Sequence, residues 1–176
     1  NRRFRNPLLE RINPEDRRLQ ALILCPTREL AIQVSEEFRK LLKYKDNIRV
    51  LPIYGGQPID RQIAALRKGT QVVIGTPGRV MDHMRRRTIK AETVQMMVLD
   101  EADEMLDMGF VDDIEEIMRS LPVERQTLLF SATMPQAIAD IAKKFQKDPV
   151  TVRVIKKELT VPKVTQYYYE VKPKTK

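Results

Sequence analysis

The sequence has one cysteine and one histidine among its 176 residues, and that scarcity removes several chemistries at once. A single cysteine closes no internal disulfide, and Cys25 ends the apolar run ALILC, the place of a small buried thiol at a strand end. His83 stands in the basic stretch DHMRRR with no Cys or His beside it. It therefore offers no basis for a zinc site or a Ser-His-Asp triad. No apolar run approaches the roughly 20 residues that cross a bilayer, and the opening NRRFRN leads into no secretory apolar core. The cytoplasm is the default compartment and no membrane partner is expected. The six glycines stand at 55, 56, 69, 75, 78 and 109, and none precedes a lysine. The pattern G-x-x-x-x-G-K-[ST], whose N–H groups cradle phosphates and whose lysine reaches them, is absent.

What is present reads as one globular domain. Apolar residues make up 42% and charged residues 32%, enough for a substantial core on a soluble surface. The net charge of +8 suggests a polyanionic partner. Its distribution says more than the total. Residues 100 to 117 carry nine carboxylates and no Lys or Arg, so an edge that favours cations lies inside a chain that elsewhere favours anions.

Short apolar runs alternate with amphipathic stretches, the pattern of a parallel sheet with crossover helices, hence an α/β fold. The runs predict strands near 20–25, 48–54, 71–75, 95–100, 126–131 and 150–154. The intervening stretches predict helices near 28–43, 57–67, 77–86, 101–120 with a break at Gly109, and 135–146. There is no internal repeat and no low-complexity tract. The tail KELTVPKVTQYYYEVKPKTK alternates like a strand and ends in lysines. It is read as a final strand and linker over 164–176, running towards a second domain.

In an open parallel sheet, ligands bind outside the carboxyl ends of the strands. At those ends this chain places CPTRE, YGG, GTPGR, LDEAD and FSAT in succession. Five small, polar or charged ends on one edge imply an extended functional surface. In TPGR, Thr76 can cap the next helix, Pro77 suits its first position, Gly78 lets another backbone come close and Arg79 adds a guanidinium, together an anion site. PTRE repeats the arrangement with Thr27 and Arg28. Simple helix capping explains either motif alone, whereas the pair, with the flexible Gly55 and Gly56, looks like a track for successive phosphates. LDEAD delivers Asp100 to a strand end and Glu101 one step later, as in the metal-binding strand of phosphate-hydrolysing motors, although an acidic helix start is also ordinary dipole chemistry. The acids from 104 onwards suit a solvated helix face. Ser131 and Thr133 could bond carboxylates on a neighbouring strand end and so link two loops, or could merely cap a helix.

PTRELAIQ (26–33), YGG (54–56), TPGR (76–79), DEADEMLDMGF (100–110) and SAT (131–133), in that order and spacing, closely resemble the DEAD-box RNA helicases of superfamily 2. The match spans roughly residues 7 to 170, with phrasing similar to bacterial members. The resemblance implies a RecA-like parallel sheet flanked by helices, of the P-loop NTPase type, with ATP and Mg2+ as cofactors. Asp100 would hold the magnesium ion through water, Glu101 would activate the hydrolytic water, and Asp103 would contact a second lobe. Pro26, Thr27, Arg28, Gly56, Thr76, Pro77, Gly78 and Arg79 would lie along the sugar-phosphate backbone of one RNA strand, with little sequence preference. Ser131, Ala132 and Thr133 would couple hydrolysis to strand separation.

The departures matter as much. In the family a helix begins at the phosphate loop and runs into a segment like FRNPLLERI, so Phe4 to Ile12 resemble its remainder. The loop, the strand before it and the second lobe are not in the sequence. The expectation is an incomplete first lobe over 1–163, missing its N-terminal strand and phosphate loop, with core surface left unpaired. Such a piece should hydrolyse negligible ATP, while its parent would unwind RNA duplexes at the expense of ATP. The alternative is a non-enzymatic RNA-binding or scaffold module that kept the groove and lost the motor. A phosphate loop upstream of Asn1 would restore the enzyme, and a start codon there would remove it. The wording of TPGR and SAT disfavours a DNA-directed motor.

Overall fold

The computed structural model describes residues 5–44 and 47–153. Five parallel strands form one sheet: β1 (Ala21–Leu24), β2 (Val50–Ile53), β3 (Val72–Gly75), β4 (Met96–Leu99) and β5 (Gln126–Leu129), in the order β2-β3-β1-β4-β5. The three inner strands are buried at every position, whereas β2 and β5 at the edges are partly exposed. Continuous runs such as ALIL, VVIG and MMVL are what burial on both faces demands.

Alternate residues of each strand feed two cores. Ala21, Ile23, Val72, Ile74, Met96 and Val98 face helices α1 (Arg5–Arg11) and α2 (Arg28–Leu41), which contribute Leu8, Leu9, Ala31, Val34 and Phe38. Leu22, Leu24, Val73, Met97 and Leu99 face the other layer. That layer contains α4 (Pro77–Arg85), α5 (Ala102–Asp107), α6 (Val111–Ser120) and α7 (Gln136–Phe145), with α3 (Ile59–Arg67) beside β2. The helix-period spacing of Ile114, Ile117 and Met118 puts one stripe of α6 into this core and leaves its carboxylates outside.

Each of the first five predicted strands and all the predicted helices form, and Gly109 lies between α5 and α6 with φ +80°. The strand expected over 150–154 does not form in its described part. Val150 and Val152 are 89% and 79% exposed, because alternating valines make a strand only where a neighbouring edge accepts their backbone. Residue 154 and the expected final strand and linker lie outside the described residues. Among those described, β5 pairs only with β4 and β2 only with β3, so these two strands form the edges of the sheet. No described helix is long and apolar enough to cross a membrane.

Candidate nucleotide and nucleic-acid site

The strand register brings the five motifs level. Ile53 pairs with Gly75, Gly75 with Leu24, Leu24 with Leu99 and Leu99 with Leu129. Across the sheet the loops therefore run YGG, TPGR, PTRE, DEAD, SAT, which is not their order along the chain. The two arginine motifs become neighbours, and the acidic motif separates them from SAT.

On the basic side, side chains of three loops interlock. The Arg28 guanidinium lies over the Tyr54 ring, 5.9 Å from its centroid, a cation–π contact at the exposed end of the scale. Gly56 has φ +80°, and a side chain there would also meet Arg28 Nη1, 3.7 Å from the Cβ position. The left-handed backbone favours glycine, while the 3.7 Å separation is an ordinary contact. Arg79 Nη1 donates to the Gln57 carbonyl at 3.0 Å and to Gln62 Oε1 at 3.1 Å. Gln62 Nε2 donates to the Tyr54 carbonyl at 3.0 Å, and Gln57 Nε2 bonds the Tyr54 hydroxyl at 2.6 Å. The repeated Thr motifs diverge. Thr27 Oγ1 accepts the Leu30 N–H at 3.2 Å and caps α2, whereas Thr76 makes no side-chain cap, contrary to expectation, although Pro77 does open α4. Pro's missing N–H leaves one fewer amide for a cap to satisfy. Pro26 and Pro77 are buried, while Gly78 is exposed at the mouth of α4.

Asp100, at the end of β4, is completely buried. Burial and the adjacent Glu101 carboxylate raise its pKa from 3.8 to about 6, against the pull of the Arg5 guanidinium. Arg5 is itself buried and ion-paired to Glu37 of α2. Glu101 is exposed and takes a left-handed conformation, φ 55° and ψ 54°, at the start of α5. This is an uncommon state for a residue with a Cβ, and it turns the chain sharply between strand and helix. The next turn docks on SAT: Ala102 N–H reaches the Phe130 carbonyl at 3.0 Å, and Asp103 N–H reaches Ser131 Oγ at 3.2 Å. Thr133 returns two hydrogen bonds to Asp103 Oδ2. Of the two readings of SAT, linkage of two loops is the one the geometry bears out. Ala132 is exposed between the two hydroxyl residues.

A family model described as DEAD/DEAH box helicase matches residues 4–141. The chain belongs to the DEAD/DEAH box helicase family. It is 56% identical over 173 residues to a DEAD-box ATP-dependent RNA helicase CshA of Geobacillus kaustophilus, covering 98% of this chain and 37% of that protein. The protein of the same name in Bacillus subtilis is 55% identical, with 98% and 35% covered. A crystal structure of a DEAD box protein from the hyperthermophile Methanococcus jannaschii superposes with a TM-score of 0.78 at 48% identity, covering 82% of this chain and 39% of that one. The chain thus spans about a third of the curated relatives it matches.

As part of a DEAD-box lobe, the row of strand ends acquires a division that sequence reading did not provide. Tyr54, Gln57 and Gln62 hold the basic half together, and none of them was singled out. Only the position of Gln62, on the inward side of an amphipathic helix, hints at burial. His83 is the other omission. It is fully buried, its Nε2 lies 2.9 Å from Gln62 Oε1 and its Nδ1 2.8 Å from Thr88 Oγ1. Burial, and then the Arg79 charge, push its pKa down. Its setting in a run of arginines concealed this.

Proposed function

We propose that this chain is the part of an ATP-dependent RNA helicase that grips one RNA strand and carries the hydrolytic carboxylates, forming the incomplete first lobe over 1–163 with 164–176 leading to a second. The observation that carries the reading is the level row of strand ends, in which two arginine loops adjoin the Asp100–Glu101 pair and Asp103, two residues further on, is tied to SAT. Arg28 and Arg79, with Thr27, Gly56, Thr76 and the mouth of α4 at Pro77 and Gly78, supply charge and amides for successive phosphates, and Pro26 shapes the bend before α2. Such contacts read backbone rather than bases. RNA in the cytoplasm is the partner this implies.

Asp100 and Glu101 are the candidate hydrolytic pair. A buried carboxylate whose charge is disfavoured by its surroundings suits a divalent cation, and among the described residues no three His, Cys, Asp or Glu side chains could hold an ion alone. That suits Mg2+, which keeps water and substrate phosphates in its shell and takes few protein ligands. When bound with ATP, the ion would neutralise phosphate charge. Asp100 would hold it through water, and Glu101, exposed beside it, would orient and deprotonate the attacking water. The 176 residues contain no phosphate loop, so the reading assigns ATP hydrolysis to the protein of which this lobe is part.

The test compares the protein carrying this lobe on RNA and DNA duplexes of one sequence, with and without ATP. ATP-dependent separation of the RNA duplex is expected. RNA binding without any ATP hydrolysis would favour the scaffold reading, and equal unwinding of DNA would remove RNA selectivity.

A further inference from the structure

We propose that His83 is a positioning residue for RNA binding: buried behind the groove, it fixes the Gln62 amide so that Gln62 holds Arg79 by one edge of its guanidinium. The inference rests on the reading of Arg79 as a phosphate contact.

The orientation of Gln62 follows from its neighbours. The Tyr54 carbonyl can only accept, so the amide nitrogen must face it, at 3.0 Å. Arg79 can only donate, so the amide oxygen must face it, at 3.1 Å. His83 Nε2 lies 2.9 Å from the same oxygen and must therefore carry a proton. In the neutral ring Nδ1 is then the acceptor, so the Thr88 hydroxyl, 2.8 Å from Nδ1 and 3.0 Å from the His83 carbonyl, must turn its one proton to the ring. The Thr88 N–H separately satisfies the His83 carbonyl at 2.9 Å. The tautomer of the buried ring is thus specified from the Gln62 side, and the Thr88 hydroxyl, which can donate or accept, accommodates it. If the ring supplied no donor to the oxygen, the amide would lose one of the two bonds to its oxygen and one of the three that distinguish its ends. A rotated amide would present N–H groups to Arg79.

The consequence lies on the guanidinium. Its hydrogen bonds to Gln57 and Gln62 both use Nη1, which has two protons and gives one to each. The opposite edge, Nε with Nη2, has the parallel pair of donors that matches a phosphate bidentately. Holding one edge from inside fixes the direction of the other. A side chain so anchored loses less freedom on binding than a mobile one. Gln62 and His83 are 3% and 0% exposed, so neither can touch RNA and both act only through Arg79.

The experiment uses the intact helicase, with RNA affinity measured at fixed salt and RNA-stimulated hydrolysis resolved into KM for RNA and kcat. His83→Leu fills the space without a donor, and His83→Gln places an amide N–H near the position of Nε2. Loss of one buried hydrogen bond predicts that His83→Leu raises the RNA Kd and KM about fivefold, with kcat at saturating RNA retained. His83→Gln should restore most of the affinity. In an Arg79→Ala background, His83→Leu should add nothing. Unchanged RNA affinity in His83→Leu would overturn the proposal, as would an equal loss in the Arg79→Ala background, which marks a general structural effect. If His83→Leu does not fold, Thr88→Val removes the hydroxyl that faces Nδ1 and the His83 carbonyl, leaves the Thr88 N–H on that carbonyl, and should weaken RNA binding in the same direction; no change would count against the proposal. An Arg79→Ala variant that binds RNA normally would instead remove the reading on which the inference rests.

Discussion

Thr133 holds Asp103 twice, its backbone N–H at 2.8 Å and its hydroxyl at 2.9 Å from the same Oδ2. Burial of the carboxylate opposes ionisation, but these bonds and the one involving Ser131 outweigh it, so the Asp103 pKa lies below its ordinary value of 3.8. A depressed carboxylate pKa stabilises the fold above the unfolded value, and that contribution is lost as pH falls through the folded one. Asp103→Asn should therefore cost stability at neutral pH and little at low pH. Urea unfolding at about pH 3 and pH 7 checks this; an equal loss at both would sink the ionic account. In the intact helicase, Thr133→Val should loosen the link between the two loops. The expected outcome is RNA-stimulated hydrolysis largely retained with duplex separation reduced, and parallel loss of both activities would deny SAT a coupling role.

Arg79→Ala should weaken RNA binding about tenfold, the scale of one charge-assisted contact, without regard to base sequence. The slope of log K against log salt should fall by about one. Titration of homopolymeric RNAs at several salt concentrations separates the cases: a loss confined to one base composition would contradict a phosphate contact.

The α/β architecture was legible because each inner strand is a short, wholly apolar run, and the helices because their apolar residues recur at helical spacing, as in Ala31, Val34 and Phe38 of α2. The segment 150–153 misled because alternation records only that a strand could form, whereas pairing depends on an edge the sequence does not display. In the site, the charged ends were visible because each interrupts an apolar run. Gln62 and His83 were not, since burial of a polar group depends on partners far along the chain: 17 residues separate Gln62 from Arg79 and 21 separate it from His83.

Glu101 combines chemistry with backbone strain, its φ of 55° lying in the left-handed region. Glu101→Gln in the intact helicase should nearly abolish turnover while ATP-dependent clamping on RNA persists, because the amide keeps shape but cannot take a proton from water. Glu101→Gly should also remove turnover. It should nevertheless cost no stability in thermal unfolding, since relief of about 1 kcal/mol of strain offsets the greater freedom of unfolded glycine. Turnover surviving in the Gln variant would remove Glu101 from the role of base.

Gly75 and Gly78 flank the start of α4 and should respond oppositely to the same substitution. A Cβ on Gly75 would lie 2.7 Å from both the Ile53 carbonyl oxygen and Val80 Cγ2, so β2 and α4 would have to move apart. Overpacking of this kind predicts that Gly75→Ala lowers stability by about 1–3 kcal/mol and, by displacing α4, weakens RNA binding as well. At Gly78 the nearest atom is Asp113 Oδ2 at 3.8 Å, an ordinary contact. Gly78→Ala should leave folding intact or improve it by up to about 1 kcal/mol, since alanine is the better helix residue. Its methyl would nevertheless stand where a phosphate backbone must approach the exposed mouth of α4. Stability and RNA affinity should therefore fall together in Gly75→Ala and diverge in Gly78→Ala. If Gly78→Ala bound RNA as tightly as the parent, the mouth of α4 would not be where the strand makes its close approach.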